Sequence, residues 1–440
     1  MEHRIWYPTT QMKDLETWPP IQIERGKGIY LFDTEGNSYI DAISSWWVNL
    51  FGHANERIVG AVTEQLQLLE QVIFSGFTHR PAEELAERLI EIAPAGLSRV
   101  FFAGDGASAV EVALKMCFAF WKNADRPEKN RFVYLKNGYH GDTLGALSVC
   151  GDEFFTERFQ EILQTHIQVD SPDCYRCPHG RESGDCDVEC FESMERTVME
   201  RKDEIAGIIV EPLVLGAGGF KMYPPEYLTR LRKLADEADV LLVFDEIAVG
   251  FGRTGTMFAA EQAGIAPDLM CISKGITSGT MAMSATLATD RVYDAFYGEY
   301  TDLKGFMHSH SYSGNALACA AALETLNIFR DDDILNTNKA KYTYLQETVR
   351  DRFEGHPHVG DIRSCGWITA VELVKDPATK EPFDWKSRTA FQIYRESLKR
   401  GALLRNLDDI IYFMPPYVIE KGEIETLVDI AVDSVNEVLG

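Results

Sequence analysis

The sequence predicts an α/β protein whose larger domain has a mainly parallel central sheet flanked by helices, with a smaller α+β domain beside it. Three observations predict this fold class. Short apolar segments alternate with helical patterns through the middle of the chain, as in sheets built from crossover connections. The pattern changes after about residue 320. The 440 residues also exceed what one compact core usually holds.

Six segments rich in aliphatic and aromatic residues are predicted strands of the central sheet. They span 99–104, 131–137, 205–213, 240–246, 269–275 and 284–290. Between them, 107–123 and 225–238 carry apolar residues at spacings of three and four, which is typical of helices that cover a sheet. Ligands of such a sheet bind beyond the carboxyl ends of its strands.

The last third of the chain follows a different pattern and predicts the smaller domain. A long helical stretch runs to about 354, followed by the apolar segment 362–374, a helix near 386–400 and a final helix from about 421. We therefore expect a large domain over 56–320 and a small domain over 321–440. The N-terminal segment 1–55 is expected to join the small domain.

Composition excludes several classes of function. A formal net charge of -25 disfavours nucleic-acid binding, because polyphosphate partners require clustered Lys and Arg. No apolar stretch is long enough to span a membrane, and the N-terminus lacks the apolar core of a signal peptide. We expect a cytoplasmic protein whose nine cysteines are reduced thiols or ligands rather than a disulfide framework.

Asp245 and Lys274 are the most informative residues of the chain. Each ends an apolar segment that is predicted to be a buried strand. An acid and an amine at two strand ends suit pyridoxal phosphate, because lysine forms a Schiff base with its aldehyde and an aspartate keeps its ring nitrogen protonated. The alternative is an ordinary strand-end acid and a surface lysine.

Three further segments lie where a pyridoxal-phosphate site needs them. The turn AGDGAS leads from a strand into a helix, where the N–H groups of Gly106 and Ala107 can hold a phosphate. NGYHGDT offers Tyr139 for stacking on the cofactor ring. HSHSYSGN, at 308–315, is a second candidate phosphate clamp. Each segment also has a plain structural interpretation, as a tight turn, a packed aromatic or a polar loop.

The order of these motifs resembles the class III, or omega, aminotransferases of fold type I. The resemblance covers nearly the whole chain through DGASAVE, NGYHGDT, VEPLVLGAGG, DEIAVGFGRTG, SKGI and HSYSGNALACAAA. SSWWVN, GTMAMSATLAT, FMHSHSYSGN and IIYFMPPYVI further resemble the branch of that family that acts in biotin biosynthesis. That branch implies transfer of an amino group to 8-amino-7-oxononanoate from S-adenosylmethionine or lysine, by a ping-pong mechanism. Another omega-aminotransferase, acting on a diamine or omega-amino acid, is the alternative.

The resemblance also implies a role for each matched cofactor-site residue. Lys274 would carry the cofactor and move the substrate proton, Asp245 would pair with the ring nitrogen, and Tyr139 would stack on the ring. The loop with His310 and Ser311 would reach the phosphate of a partner subunit, which implies a homodimer with composite sites. A regulatory protein on a degenerate scaffold is disfavoured, since it would not need to keep these residues.

Other matched positions are expected to form the substrate cleft. Arg405 would bind the carboxylate of the keto substrate, because a guanidinium can hold a carboxylate with two hydrogen bonds. Trp46, Trp47 and Tyr412 would line the cleft. Arg253 is a candidate substrate contact, with a structural brace as the alternative.

Three residues depart from the pattern of the biotin branch. Asp105 replaces a common Ser at the phosphate turn, where its carboxylate must turn away or cap the helix. Thr9 replaces an aromatic residue, and Leu215 replaces a Gln. The Thr9 departure leaves the choice of amino donor open.

A cysteine-rich segment at 174–190 is not explained by the aminotransferase motifs. Cys174, Cys177, Cys186 and Cys190 have the spacing C-x2-C-x8-C-x3-C, which is compatible with zinc or an iron-sulfur cluster, and His179 is an extra candidate ligand. The plainer interpretation is a surface insertion without metal, since the expected reaction needs none.

Overall fold

The computed structural model describes residues 4–181 and 184–440. In chain order the strands are β1 Ile23–Lys27, β2 Tyr30–Asp33, β3 Ser38–Asp41, β4 Leu97–Ala103, β5 Arg131–Leu135, β6 Ile167–Val169, β7 Ile205–Val210, β8 Val214–Leu215, β9 Lys221–Met222, β10 Leu241–Asp245, β11 Leu269–Ile272, β12 Ser284–Thr289, β13 Val359–Cys365, β14 Ile368–Leu373, β15 Ala402–Leu403, β16 Asn406–Leu407 and β17 Ile410–Phe413.

The helices are α1 Ser44–Trp47, α2 Glu56–Leu66, α3 Arg80–Ile92, α4 Gly106–Asn123, α5 Leu144–Leu147, α6 Glu153–Thr156, α7 Glu192–Arg201, α8 Pro225–Glu237, α9 Asp290–Asp294, α10 Ala316–Asp331, α11 Ile334–Thr337, α12 Lys339–Phe353, α13 Thr389–Lys399 and α14 Lys421–Leu439. None of the helices in the described ranges is both long and apolar enough to cross a membrane.

The central sheet has seven strands in the order β4-β12-β11-β10-β7-β5-β6. β5, β6, β7, β10 and β11 run parallel to one another, and β12 pairs antiparallel with both β11 and β4. All six predicted strands are present, and the mainly parallel sheet is confirmed. The short edge strand β6 was not predicted, because three residues carry too little pattern.

Alternate residues of the central strands point to opposite faces of the sheet, as the two-residue period of a strand requires. Leu241 and Val243 of β10 belong to the apolar cluster formed with α4. Leu242 and Phe244 belong to the cluster that includes α8. Both faces are therefore covered, which explains why β10 is apolar throughout.

Two smaller sheets involve the chain ends. β13, β14, β17 and β16 form an antiparallel sheet in that order. β1, β2 and β3 form a sheet that is completed by β15, which pairs parallel with β3. The N-terminal segment is thus hydrogen-bonded to the C-terminal third. This pairing agrees with the expected division at residues 55 and 320, which stays a prediction.

Candidate active site

Asp245 and Lys274 lie at the carboxyl ends of neighbouring parallel strands. Asp245 is the last residue of β10, and its register partner on β11 is Cys271, three residues before Lys274. Lys274 adopts a left-handed backbone with φ 47°, which is rare for a residue with a side chain. Such local strain is common at functional sites. Burial lowers the pKa of the Lys274 amine, while the carboxylates of Asp245 and Glu211 oppose that change.

A buried histidine fixes the Asp245 carboxylate. His140 Nδ1 lies 2.7 Å from Asp245 Oδ2, and the N–H of Ile247 donates to Asp245 Oδ1 at 3.1 Å. Since an ionised carboxylate only accepts hydrogen bonds, Nδ1 is the protonated nitrogen of this contact. The acid is thereby oriented at the strand end where a cofactor ring is expected. His140 was not singled out from the sequence, although it directly follows Tyr139 in NGYHGDT.

Glu211 joins the Tyr139 turn to the loop after β8. Its two carboxylate oxygens accept the N–H groups of Tyr139 and Gly216, each at 2.9 Å. Burial raises the pKa of Glu211 to about 7, with His140 lowering it and Asp245 raising it. Burial also raises the pKa of the Tyr139 hydroxyl, with Asp142 as the next cause. Tyr139 therefore keeps its proton and presents a neutral ring beside Asp245.

The phosphate turn has the geometry of an anion site at a helix N-terminus. α4 begins at Gly106, and the Asp105 side chain caps it by accepting the Ser108 N–H at 2.9 Å. The first N–H groups of a helix have no intrahelical acceptor, so those of Gly106 and Ala107 are available to a phosphate. Of the two alternatives for Asp105, the structure shows the helix cap.

Gly141 brings the Tyr139 turn close to this helix end. Its φ is 129°, and a Cβ built there would lie 2.5 Å from Ala107 Cβ. Only glycine permits so close an approach. The candidate ring-stacking and phosphate-binding segments are thus adjacent.

Ser44 to Trp47 form a left-handed turn that shapes one wall of the cleft. Their φ angles are 51°, 45°, 77° and 71°, and each such L-residue costs about 1–2 kcal/mol. Asp41 holds the turn by accepting the N–H and hydroxyl of Ser45 at 2.9 and 2.7 Å. The Ser44 hydroxyl donates to the Met414 carbonyl at 2.7 Å. The SSWW motif itself contains no glycine or Asn that would signal this turn.

The turn places two tryptophans in different environments. Trp47 is buried, its Nε1 donates to the Tyr412 hydroxyl at 3.1 Å, and its ring centroid lies 5.1 Å from Lys274 Nζ. Phe220 completes this aromatic wall, with ring centroids 4.5 Å from Tyr412 and 5.5 Å from Trp47. Phe220 was not predicted, because nothing in GAGGF distinguishes it from an ordinary core residue.

Trp46 packs against Arg405, the candidate carboxylate-binding residue. It is 43% exposed, and the Arg405 guanidinium carbon lies 4.3 Å from its ring centroid. Within residues 4–181 and 184–440, the guanidinium donates no hydrogen bond to the protein. Its donors are therefore available to a ligand.

Arg253 is a brace and not a substrate contact, which corrects that expectation in favour of the alternative. It is buried, and its two Nη atoms donate to the carbonyls of Pro415 and Asn49 at 2.9 and 3.0 Å. Longer bonds reach the carbonyls of Met414 and Trp47. These acceptors tie the left-handed turn to the segment after β17, so both Nη atoms are held by the protein, while the buried Nε has no partner among the described residues.

The remaining predicted residues are His310, Ser311, Thr9 and Leu215. Ser311 is exposed, and its carbonyl accepts from the Gln71 side chain at 3.0 Å, while the His310 N–H donates to the Ser313 hydroxyl at 3.2 Å. Across the described chain, no hydrogen bond joins His310 or Ser311 to the Lys274 cluster. Thr9 is exposed, whereas Leu215 is buried in β8.

The residues present fit pyridoxal phosphate. A lysine with a lowered pKa, a fixed buried carboxylate, an aromatic ring and two N–H donors are gathered at the carboxyl edge of one sheet. No three His, Cys, Asp or Glu side chains in the described ranges are arranged as a formed metal site.

Comparisons with known proteins agree with this geometry. A sequence profile of the class III aminotransferases matches residues 12–435. An adenosylmethionine-8-amino-7-oxononanoate aminotransferase of Geobacter sulfurreducens is 46% identical over 99% of this chain and 96% of its own. The enzyme of that name from Aquifex aeolicus is 40% identical over 97% of this chain and 94% of its own.

Solved structures show the same similarity. The adenosylmethionine-8-amino-7-oxononanoate aminotransferase of Methanocaldococcus jannaschii superposes with a TM-score of 0.94 at 35% identity, covering 99% of this chain and 98% of its own. The omega transaminase of Pseudomonas jessenii in complex with PMP gives 0.93 at 31% identity, covering 99% and 96%. The chain therefore belongs to the class III aminotransferase family and is a pyridoxal-phosphate-dependent transaminase.

Proposed function

We propose that this enzyme transfers an amino group to 8-amino-7-oxononanoate and forms 7,8-diaminononanoate in biotin biosynthesis. The observation that carries the proposal is the 46% identity, over nearly the whole length, to a relative that bears this enzyme's name. The cleft supports it, because the half-buried Arg405 guanidinium stands beside an aromatic wall. Such a pair suits a substrate with a carboxylate at one end of an alkyl chain.

The chain's residues have distinct proposed roles in a ping-pong reaction. Bound pyridoxal phosphate supplies an aldehyde that reacts with amines and a ring that accepts electron density from the substrate carbon. Lys274 holds the cofactor and then moves a proton at the substrate carbon as base and acid, a role that its lowered pKa favours. Asp245, oriented by His140, holds the proton on the ring nitrogen.

The other contacts hold the cofactor and substrate in place. Tyr139 stacks on the ring, and the N–H groups of Gly106 and Ala107 bind the phosphate at the start of α4. Arg405 binds the carboxylate of the keto substrate, against a wall formed by Trp46, Trp47, Tyr412 and Phe220.

Half-reaction spectroscopy tests the substrate assignment. The loaded enzyme is mixed with S-adenosylmethionine, lysine or a simple omega-amino acid in the absence of an acceptor, and the visible absorption of the bound cofactor is followed. We expect S-adenosylmethionine or lysine to convert the cofactor, and 8-amino-7-oxononanoate to restore it. Conversion by simple omega-amino acids alone would favour the alternative, a general omega-aminotransferase. This chain is also similar to such an enzyme, the omega transaminase of Pseudomonas jessenii, at 31% identity.

We also propose that the enzyme is a homodimer with composite sites. Large apolar side chains on two neighbouring segments are exposed, including Leu68, Phe77, Met307 and Tyr312. The Gln71 side chain bonds the Ser311 carbonyl, so the segments form one surface. Exposed apolar surface of this kind marks an interface, and His310 and Ser311 would reach the partner's phosphate from it.

Subunit mixing tests the composite site. Lys274→Ala chains are expected to form inactive dimers, and chains with Ala at both His310 and Ser311 are expected to form weakly active ones. After exchange, mixed dimers contain one site with an intact lysine and an intact partner loop, so activity should return. Retained activity without exchange, or a monomer by sedimentation, would contradict the proposal.

A cytoplasmic location is proposed as well, because Cys177, Cys186 and Cys190 are free thiols.

A further inference from the structure

The cysteine-rich segment lines a cavity that the transaminase reaction does not use. Cys174, Cys177, Cys186 and Cys190 all contribute to its wall, together with Asp173, Arg181, Val188, Glu189 and Pro224. The four cysteines therefore lie around one cavity. His179 is exposed and does not line the cavity, so it drops out as a candidate ligand.

The described residues next to the cysteines include a turn and several left-handed backbone positions. The Gly180 N–H donates to the Cys177 carbonyl at 3.1 Å and closes a turn directly after the first pair. Gly180 and Gly184 have φ angles of 66° and 86°. Val188, which lies between Cys186 and Cys190, is buried and has a φ of 56°. Cys186 and Cys190 line the same cavity as Cys174 and Cys177.

We propose that the four thiols bind one zinc ion as a tetrahedral thiolate site. Two pairs with two and three intervening residues match the short spacing of structural zinc ligands. Among the described residues, no three His, Cys, Asp or Glu side chains are placed so that they could hold a metal ion, so zinc binding requires the thiols to turn about their Cα–Cβ bonds. Each thiol releases a proton to solvent on binding. Arg181 and Glu189 form an ion pair in the cavity wall at 2.9 Å, so together they add no net charge beside the thiolates.

The loop that carries this site supports the wall of the substrate cleft. Arg176, between the first two cysteines, donates to Glu372 at 2.8 Å, and Glu372 accepts from Arg363 at 2.8 Å. Arg363 in turn donates to the carbonyl of Phe220 at 2.7 Å. Lys221, the next residue, pairs with Asp173 in the cavity wall. A zinc ion that fixes the loop would therefore help to hold Phe220 in position, through Arg176, Glu372 and Arg363.

Metal analysis of the full-length, cofactor-loaded enzyme tests the proposal. The protein is purified under reducing conditions without a metal-affinity step, and its zinc and iron are measured by mass spectrometry. We expect about one zinc per chain in the wild type and in a Cys365→Ser control, and none in a Cys177→Ser, Cys186→Ser double variant. Iron in place of zinc, zinc retained by the double variant, or disulfides within the segment would overturn it.

Cobalt binding gives a second measurement that does not depend on the variants folding. Chelated, reduced wild-type enzyme is titrated with Co²⁺, and we expect the intense sulfur-to-cobalt absorption of a thiolate site. Removal of zinc should also lower the midpoint of thermal unfolding, and zinc alone should restore it. If the purified enzyme contains no zinc and the cobalt titration gives no thiolate band, the proposal is wrong.

Discussion

His140 Nδ1 donates a hydrogen bond to Asp245 Oδ2 over 2.7 Å, and both side chains are buried. We expect His140→Ala to lower kcat/KM about 10- to 100-fold, because losing a hydrogen bond to a charged group costs about 1.5–3 kcal/mol. His140→Asn should recover part of the rate, since its amide offers a donor. The pH profile of kcat should also differ from the wild-type profile in His140→Ala, and it should lie closer to the wild-type profile in His140→Asn. Equal losses in both variants would indicate a purely structural role.

Lys274→Ala is expected to remove turnover. The amine is the group proposed to hold the cofactor and move the proton, and such acid-base catalysis contributes about 10²–10⁴-fold alone. The visible absorption of the purified protein should change as well, because the cofactor loses its attachment. Lys122→Ala, an exposed change on α4, is the matched control and should leave rate and spectrum unchanged. Turnover by the Lys274→Ala variant would rule out the proposed mechanism.

Arg405→Ala is expected to weaken the keto-acid half-reaction more than the donor half-reaction. The guanidinium stacks on Trp46 and donates no hydrogen bond within the described protein, so its loss leaves the substrate carboxylate without a charged partner. We expect KM for the keto acid to rise about 10- to 100-fold, corresponding to about 1.5–3 kcal/mol. Arg400→Ala, in the same segment but paired with Glu396, is the control. Equal losses in both half-reactions would contradict the assignment.

Gly141→Ala is expected to weaken cofactor binding. The new Cβ would lie 2.5 Å from Ala107 Cβ, at a φ of 129°, and such overpacking costs about 1–3 kcal/mol. The phosphate turn must shift to relieve the contact. Titration of cofactor-free protein with pyridoxal phosphate measures the loss, with Gly60→Ala as control because nothing lies within 4 Å of its added Cβ. Unchanged affinity in Gly141→Ala would show that the two turns do not share the phosphate site.

His166 predicts how stability depends on pH. Burial lowers its pKa from 6.5 to about 4, with Arg131 adding to the effect. Between these values the unfolded chain binds a proton that the folded chain does not, so stability falls as pH drops from about 6.5 towards 4. We expect His166→Leu to lose less unfolding free energy than the wild type between pH 7 and 4.5, measured by denaturant titration. An identical pH dependence would show that His166 does not titrate differently in the folded state.

The sequence by itself determined the fold class and the six longer strands of the central sheet, and it predicted candidate residues for the cofactor site. These features have strong local signals, because a buried strand is a continuous apolar run and Asp245 and Lys274 stand at the ends of two such runs. The cap formed by Asp105 was one of two alternatives that the sequence left open, because a capping residue acts through local geometry.

Tertiary structure decided the features that depend on distant partners. The contacts of Arg253 with carbonyls at 47–49 and 414–415 join segments far apart in sequence, so its motif could not distinguish a brace from a substrate contact. The left-handed turn at Ser44 to Trp47 is stable only because Asp41, Met414 and Tyr412 surround it. Phe220 and His140 belong to the site because the fold brings their segments together. Proximity between segments that are distant in sequence produces no local pattern that a single sequence can show.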